Sequence, residues 1–325
     1  MKLQSYPQNF SSIFAPNIYT FEEVEPTISS EIKFFVGGGR PLSARRFAGS
    51  TTIATSPESL LRRTINPLPL APGDQCELIC PEGRSVAIYA TYDDKTTPLL
   101  HFTASHKQLS EGEVMGGSTQ QRQIARGEAD EVALVAGEGS RVKVAAHLSD
   151  GSQATLLSES LPITGVWVAR IVADDVLSRA IEPEEVEWFR LVVSVDGEDV
   201  ATLHYTLAQR PRSAVRLAWL NADGYIDYHT FSSATDLRTL SSRSECKLPS
   251  GTTSLMVEGW QELCVESGYL PRVQLERLGG VAYSPRVWLV EADGSLTPHR
   301  VVANEVVDSA VVRLKVAPSL PTTYW

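Results

Sequence analysis

Val215-Arg216-Leu217-Ala218-Trp219-Leu220-Asn221-Ala222-Asp223-Gly224-Tyr225-Ile226-Asp227-Tyr228-His229-Thr230-Phe231 reads as a β-hairpin, and it sets the fold class. Val215, Leu217 and Trp219 alternate with Arg216 and Ala218, the period of a strand. Asn221-Ala222-Asp223-Gly224 is turn chemistry, because Gly224 takes a positive φ without a Cβ penalty. Tyr225, Ile226, Tyr228, Thr230 and Phe231 then supply a second strand rich in aromatic and β-branched residues. Asp227 and His229 stand two apart and share a face. The pattern alone makes them a polar pair at the surface.

Working outward, Arg216-Leu217 precedes the spaced set Trp219-Leu220-Asn221-x-x-Gly224-x-x-Asp227-x-x-x-Phe231. Downstream stand Gly268-Tyr269-Leu270 and Ser284-Pro285-Arg286-Val287-Trp288-Leu289. Together these resemble a motif of structural proteins from tailed phages and prophages of gut Bacteroidetes, over about the last third of the chain. The resemblance implies a tail-tip or baseplate part of a virion, synthesised in the cytoplasm of the host bacterium. Such a part assembles with copies of itself, in a ring or another symmetric oligomer, and with other tail proteins. The motif is not enzymatic, and it implies no cofactor.

The rest of the chain carries the same strand rhythm. Its 325 residues are enough for two or three domains, and a 42% hydrophobic content is enough for real cores. Short strands separated by turns run from Glu31–Val36 through Gln75–Cys80, Ser85–Tyr92 and Leu99–Ala104. They continue through Glu131–Ala136, Arg141–Leu148, Gly165–Val172, Trp188–Val195 and Ala201–Leu207. This predicts an all-β protein of two or three small sandwich-like or barrel-like domains with a few short helices. The helices are expected after Ser56-Pro57, over 174–181, and over 270–278 with Gly279-Gly280 just past its end.

Residues 1–20 read as an arm whose Phe10, Phe14 and Tyr19 are candidates to bury on a neighbouring subunit. Residues 21–107 form a first β domain, and 108–126, rich in Gly and Gln, a linker or long loop. Residues 127–212 and 213–325 form two further β domains. The last ends in Tyr324-Trp325, a second candidate interface.

Net charge is −10, which argues against a duplex nucleic-acid binder. Arg45-Arg46, Arg62-Arg63 and Arg210–Arg216 are expected as solvated or interface charge. The longest apolar runs fall far below the ~18 residues of a membrane-spanning helix. Cys76 and Cys80 would lie about 13 Å apart on one strand face, too far for a disulfide, so the four cysteines read as buried thiols. The six histidines show no metal-ligand spacing, and no nucleophile elbow occurs. No catalytic, cofactor or metal residues are therefore expected. Two other readings compete with the structural one. One is a carbohydrate-binding or adhesin module using the six Trp as a platform; the other is a glycan hydrolase, whose carboxylates leave no sequence signature.

Overall fold

The computed structural model describes residues 1–22, 30–37, 41, 43–47, 51–248, 251–307, 311–319 and 322–324. Strands dominate, and the chain is all-β with a few short helices, as the alternation predicts.

The first unit carries β1 (Lys2–Ser5), β2 (Ser11–Ser12), β3 (Tyr19–Glu22), β4 (Ser30–Val36), β5 (Ser43–Phe47) and β6 (Thr52–Thr55). It continues with α1 (Glu58–Thr64), β8 (Ser85–Tyr92), β9 (Lys95–Thr96) and β10 (Leu100–Thr103); β7 (Glu77–Ile79), between α1 and β8 in the chain, leaves it to pair with the middle unit. Strands β1-β3-β6 form a small sheet, and β2-β10-β8-β4-β5 form a second with β9 beside β8. Tyr19, Phe21, Ile32, Phe34, Ile88 and Phe102 fill the space between them.

The expected arm is therefore part of this unit. Tyr19 is fully buried in its core, and Phe10 is buried against Met115, Val166 and Tyr225. Neither is free for a neighbour. Phe14 alone of the three stays exposed, stacked on His106. At the other end, Tyr324 has its backbone in a strand, whereas its side chain and Trp325 lie outside the described residues.

The middle unit is a sandwich of β11 (Thr119–Ile124), β12 (Ala129–Ala136), β13 (Arg141–Leu148), β14 (Gln153–Ser160), β15 (Gly165–Val172), α2 (Ala173–Leu177), β16 (Trp188–Val195) and β17 (Glu198–Leu207). One sheet has the order β11-β17-β16-β13-β14, the other β12-β15-β7. The segment expected as a linker instead holds β11, which runs parallel to β17 over six residue pairs. Its period is not one of apolar residues, because its inward residues include Gln120 and Arg122. Likewise β7, expected among the first domain's strands, is the third strand of the second sheet, pairing Leu78 with Ala169.

All eight residues of β15 are buried because both of its faces are covered. Trp167, Ala169 and Ile171 pack inside the sandwich, while Val166 and Val168 pack outward against Phe10, Leu109 and Tyr225.

The third unit has β18 (Val215–Leu220), β19 (Ile226–Phe231), β20 (Ser233–Leu248), β21 (Gly251–Glu266), α3 (Arg272–Tyr283), β22 (Val287–Val290), β23 (Leu296–Val307), β24 (Val311–Pro318) and β25 (Thr322–Tyr324). The sheet order is β19-β18-β22-β23-β24-β21-β20, with β25 on β21. The quoted hairpin pairs Trp219 with Asp227 and Leu217 with His229. Leu278 and Val281 of α3 cover that face, joining Leu217, Trp219 and Phe231 in one core. Contrary to expectation, Gly279 and Gly280 lie inside the helix rather than beyond it.

Candidate functional site: a buried ionic junction

Where the three units meet, β12 sets an acidic run, Glu128-Ala129-Asp130-Glu131, ahead of an apolar one. Alternation sends Asp130 and Glu131 to opposite faces of the strand. Each meets its own arginine. On the sandwich side, Asp130 accepts Arg122 Nη1 at 2.9 Å and Tyr205 Oη at 3.0 Å. On the other side, Glu131 accepts Arg84 Nη2 and Tyr228 Oη, both at 2.5 Å, and the Leu70 amide at 2.7 Å. Glu128 accepts Arg216 Nη1 at 2.9 Å and Thr230 Oγ1 at 2.7 Å. A fourth pair joins Asp227 to Arg277 of α3, with Nε at 2.6 Å and Nη2 on the second oxygen.

Four carboxylates thus meet four guanidiniums, of which only Arg277 retains noticeable exposure, 16% of its side chain, and the more exposed Arg210 reaches Glu128 at 3.9 Å. Burial alone would raise the Asp130 pKa, but Arg122 first, then Arg216 and Arg277, hold it below the usual carboxylate range. Burial pushes the Tyr205 phenol up, and the Asp130 charge adds to that. His229 is pushed down to about 3, by burial first and then by Arg277 and Arg216, so it sits neutral beside Phe231.

The motif residues thus do architectural work. Arg216 and Asp227 are ionic members, not surface charge. The expectation of an exposed Asp227–His229 pair fails because α3 covers their face; Asp227 is 0% and His229 3% exposed. Trp219 and Phe231 are core. Asn221 Oδ1 accepts the Asp223 amide in the turn. Gly224 has φ +82°, and a Cβ there would come within 2.5 Å of the Ser105 amide, so the hairpin tip sits against the first unit's backbone. Ser284 Oγ donates to Leu220 O at 2.8 Å, tying the end of α3 to the hairpin. Pro285 is exposed at a shallow depression shared with Asn66.

A cavity of about 230 Å³ adjoins the junction, lined in part by Pro72, Glu128, Arg170, Arg210, Arg216 and Tyr228. Arg170 is itself engaged by Glu77 and by Ala71 O. Every carboxylate of the junction is in a guanidinium's grip, the opposite of the isolated apolar setting that turns a carboxyl into a general acid. The arrangement can hold three units in one register. Among the described residues, no group of three His, Cys, Asp or Glu side chains is placed to hold a metal ion.

The network was signalled only by the acidic start of an otherwise apolar strand. The run Arg210–Arg216, expected as solvated or interface charge, is split: Arg210 is exposed, Arg216 buried. Arg62 and Arg63 are exposed, whereas Arg45 and Arg46 have side chains outside the described residues. Cys76, Cys80 and Cys264 are free thiols, half-buried rather than fully so; burial raises Cys76 to about 12, and Cys246 is a further side chain outside the described set. Of the Trp platform, Trp167, Trp219 and Trp288 are buried and Trp188 is exposed, while Trp260 and Trp325 lie outside the described side chains. No helix among the described residues is long and apolar enough to cross a membrane.

Fold and junction together define an all-β, multi-sheet chain with a buried ionic network where its units meet. No family model matches the chain, and no curated protein matches it either.

Proposed function

We propose that this chain is a structural subunit of a phage or phage-derived tail, at the tip or baseplate. It is made in the bacterial cytoplasm and built into the virion with copies of itself and other tail proteins. The observation that carries the reading is the ribbon β20–β21. Each strand has 16 residues, ~53 Å at about 3.3 Å per residue. Strand β24 pairs only Leu263–Glu266 of it, and β25 only Val257–Gly259. The outer edge of β20 has no partner strand among the described residues. A two-stranded ribbon is marginal in water, and an open edge is a template for another chain. A symmetric assembly supplies that chain. The resemblance of the hairpin motif supports the same reading, since its residues serve packing and ionic bracing.

The test is mass spectrometry of particles purified from the native source, with this chain quantified against the tail proteins present. A fixed stoichiometric ratio is expected. Absence from washed particles, with the chain recovered free, would discard the proposal.

A further inference from the structure

The outward face of the sheet β11-β17-β16-β13-β14 carries a second feature. Phe189, Leu191 and Val193 point into the sandwich, so Trp188, Arg190 and Val192 point out. The pairing sets Gln153 beside His147, His147 beside Arg190, Arg190 beside His204, and His204 beside Gln121. One row of five polar side chains therefore crosses all five strands: amide, imidazole, guanidinium, imidazole, amide. Four gaps of about 4.8 Å make it ~19 Å long.

In the next row stands Trp188, 46% exposed, beside Thr206. To the other side, Arg141, Lys143, Thr155 and Ser158 line a shallow depression together with Asp199, whose carboxylate accepts Ser194 Oγ at 2.7 Å. The residue between, Ala145, is small and keeps the strip open along β13.

Arg190 sets this face apart. The arginines of the junction each have a carboxylate, but no ion pair reaches Arg190 among the described residues, and its Nε is buried without a hydrogen-bond partner. A chain of net charge −10 thus leaves a guanidinium uncompensated at the centre of an outward polar row. Its planar fork matches a carboxylate or sulfate. An exposed indole beside it offers an apolar face to a sugar ring, and the flanking amides suit hydroxyls.

We propose that this face binds an acidic polysaccharide strand. Arg190 pairs with its carboxylate or sulfate group, Trp188 stacks on a ring, and Lys143 and Arg141 meet charge further along. A protein partner fits less well, because the face lacks the apolar centre of a stable interface. Duplex nucleic acid fits less well because the cationic groups are few.

The proposal is independent of tail assembly, since the purified full-length chain is tested alone. Immobilised polygalacturonate, dextran sulfate, neutral dextran and duplex DNA are compared by biolayer interferometry at low and raised salt. Retention on at least one acidic polysaccharide, weakened by salt and absent on neutral dextran, is expected. Arg190→Gln and Trp188→Ala should each weaken it at least tenfold. Arg272→Gln, on the exposed surface of α3, should not. Thermal melts identify any variant that loses its fold, and Arg190→Lys then replaces Arg190→Gln, with a smaller loss expected. No retention on either acidic polymer would overturn the proposal, as would retention unchanged by Arg190 substitution. Equal retention on neutral dextran or on DNA would overturn it too.

Discussion

Removing Arg122 should be among the most damaging single changes to this protein. Its guanidinium donates to Gln120 Oε1 at 2.7 and 3.0 Å, to Asp130 at 2.9 Å and to Glu131 O at 2.8 Å, with 1% of the side chain exposed. Arg122→Met keeps much of the stem but strands the Asp130 carboxylate, leaving it Tyr205 Oη and the Glu131 amide. Breaking a buried pair from one side costs about 3–5 kcal/mol, because the survivor is a buried charge without its counter-ion. Asp130→Asn should cost a similar amount by stranding the guanidinium. The double variant strands neither, so its cost should fall well below the sum, with a coupling of at least about 2 kcal/mol. Urea unfolding at pH 7, followed by the fluorescence of the buried Trp167, Trp219 and Trp288, measures all three. Single variants losing less than about 1 kcal/mol, or losses that simply add, would refute the view that this pair is isolated from water.

Three further outcomes follow from the same geometry. His229 has a folded pKa of about 3, below its unfolded value near 6.5, so the unfolded chain takes up the proton first. Its contribution is therefore present above about pH 6.5 and is lost as pH falls toward 3, at about 1.4 kcal/mol per unit. His229→Leu should flatten the stability–pH curve by that slope between pH 6 and 4; an unchanged slope would count against it. Gly224→Ala should destabilise by more than the ~1–3 kcal/mol of a strained positive φ alone, since the new Cβ meets the Ala104 and Ser105 backbone, read as a lowered urea midpoint. Gly279→Ala should instead stabilise by about 0.5–1 kcal/mol, because it lies in a helix with open space where a Cβ would go, and a calorimetric melt would show the gain.

Strands with an apolar inward face were plain in the sequence: Val86, Ile88 and Ala90 of β8, or Val142, Val144 and Ala146 of β13, state their period directly. Strand β11 was not legible, because two of its three inward positions are Gln120 and Arg122. Their reason for being inside is Asp130, eight residues from Arg122, and Tyr205, much further off in sequence. Periodicity reads one strand at a time and assigns a polar residue to water. It cannot register that another element will cover the supposedly wet face and bring the counter-ion with it. Arg216, Asp227 and His229 were misplaced for that reason. The hairpin, its turn and Gly224 were legible because their determinants are local. Strands β20 and β23 escaped because they lack a sustained apolar stripe.

The short strand β7 has a consequence for how the chain is made. Its partner residues, Val168 to Arg170, lie about 90 positions later. At about 5–20 residues per second, a nascent chain would emerge with Glu77–Ile79 unpaired for ~5–20 s before β15 follows. Over that interval Arg84 also waits for Glu131. The first unit's own sheets close early, but the segment that leaves it, β7, and the buried Arg84 are completed only when the second unit arrives. A ribosome that stalls between the two releases a chain with β7 unpaired and Arg84 without its carboxylate, a natural substrate for chaperones and proteases.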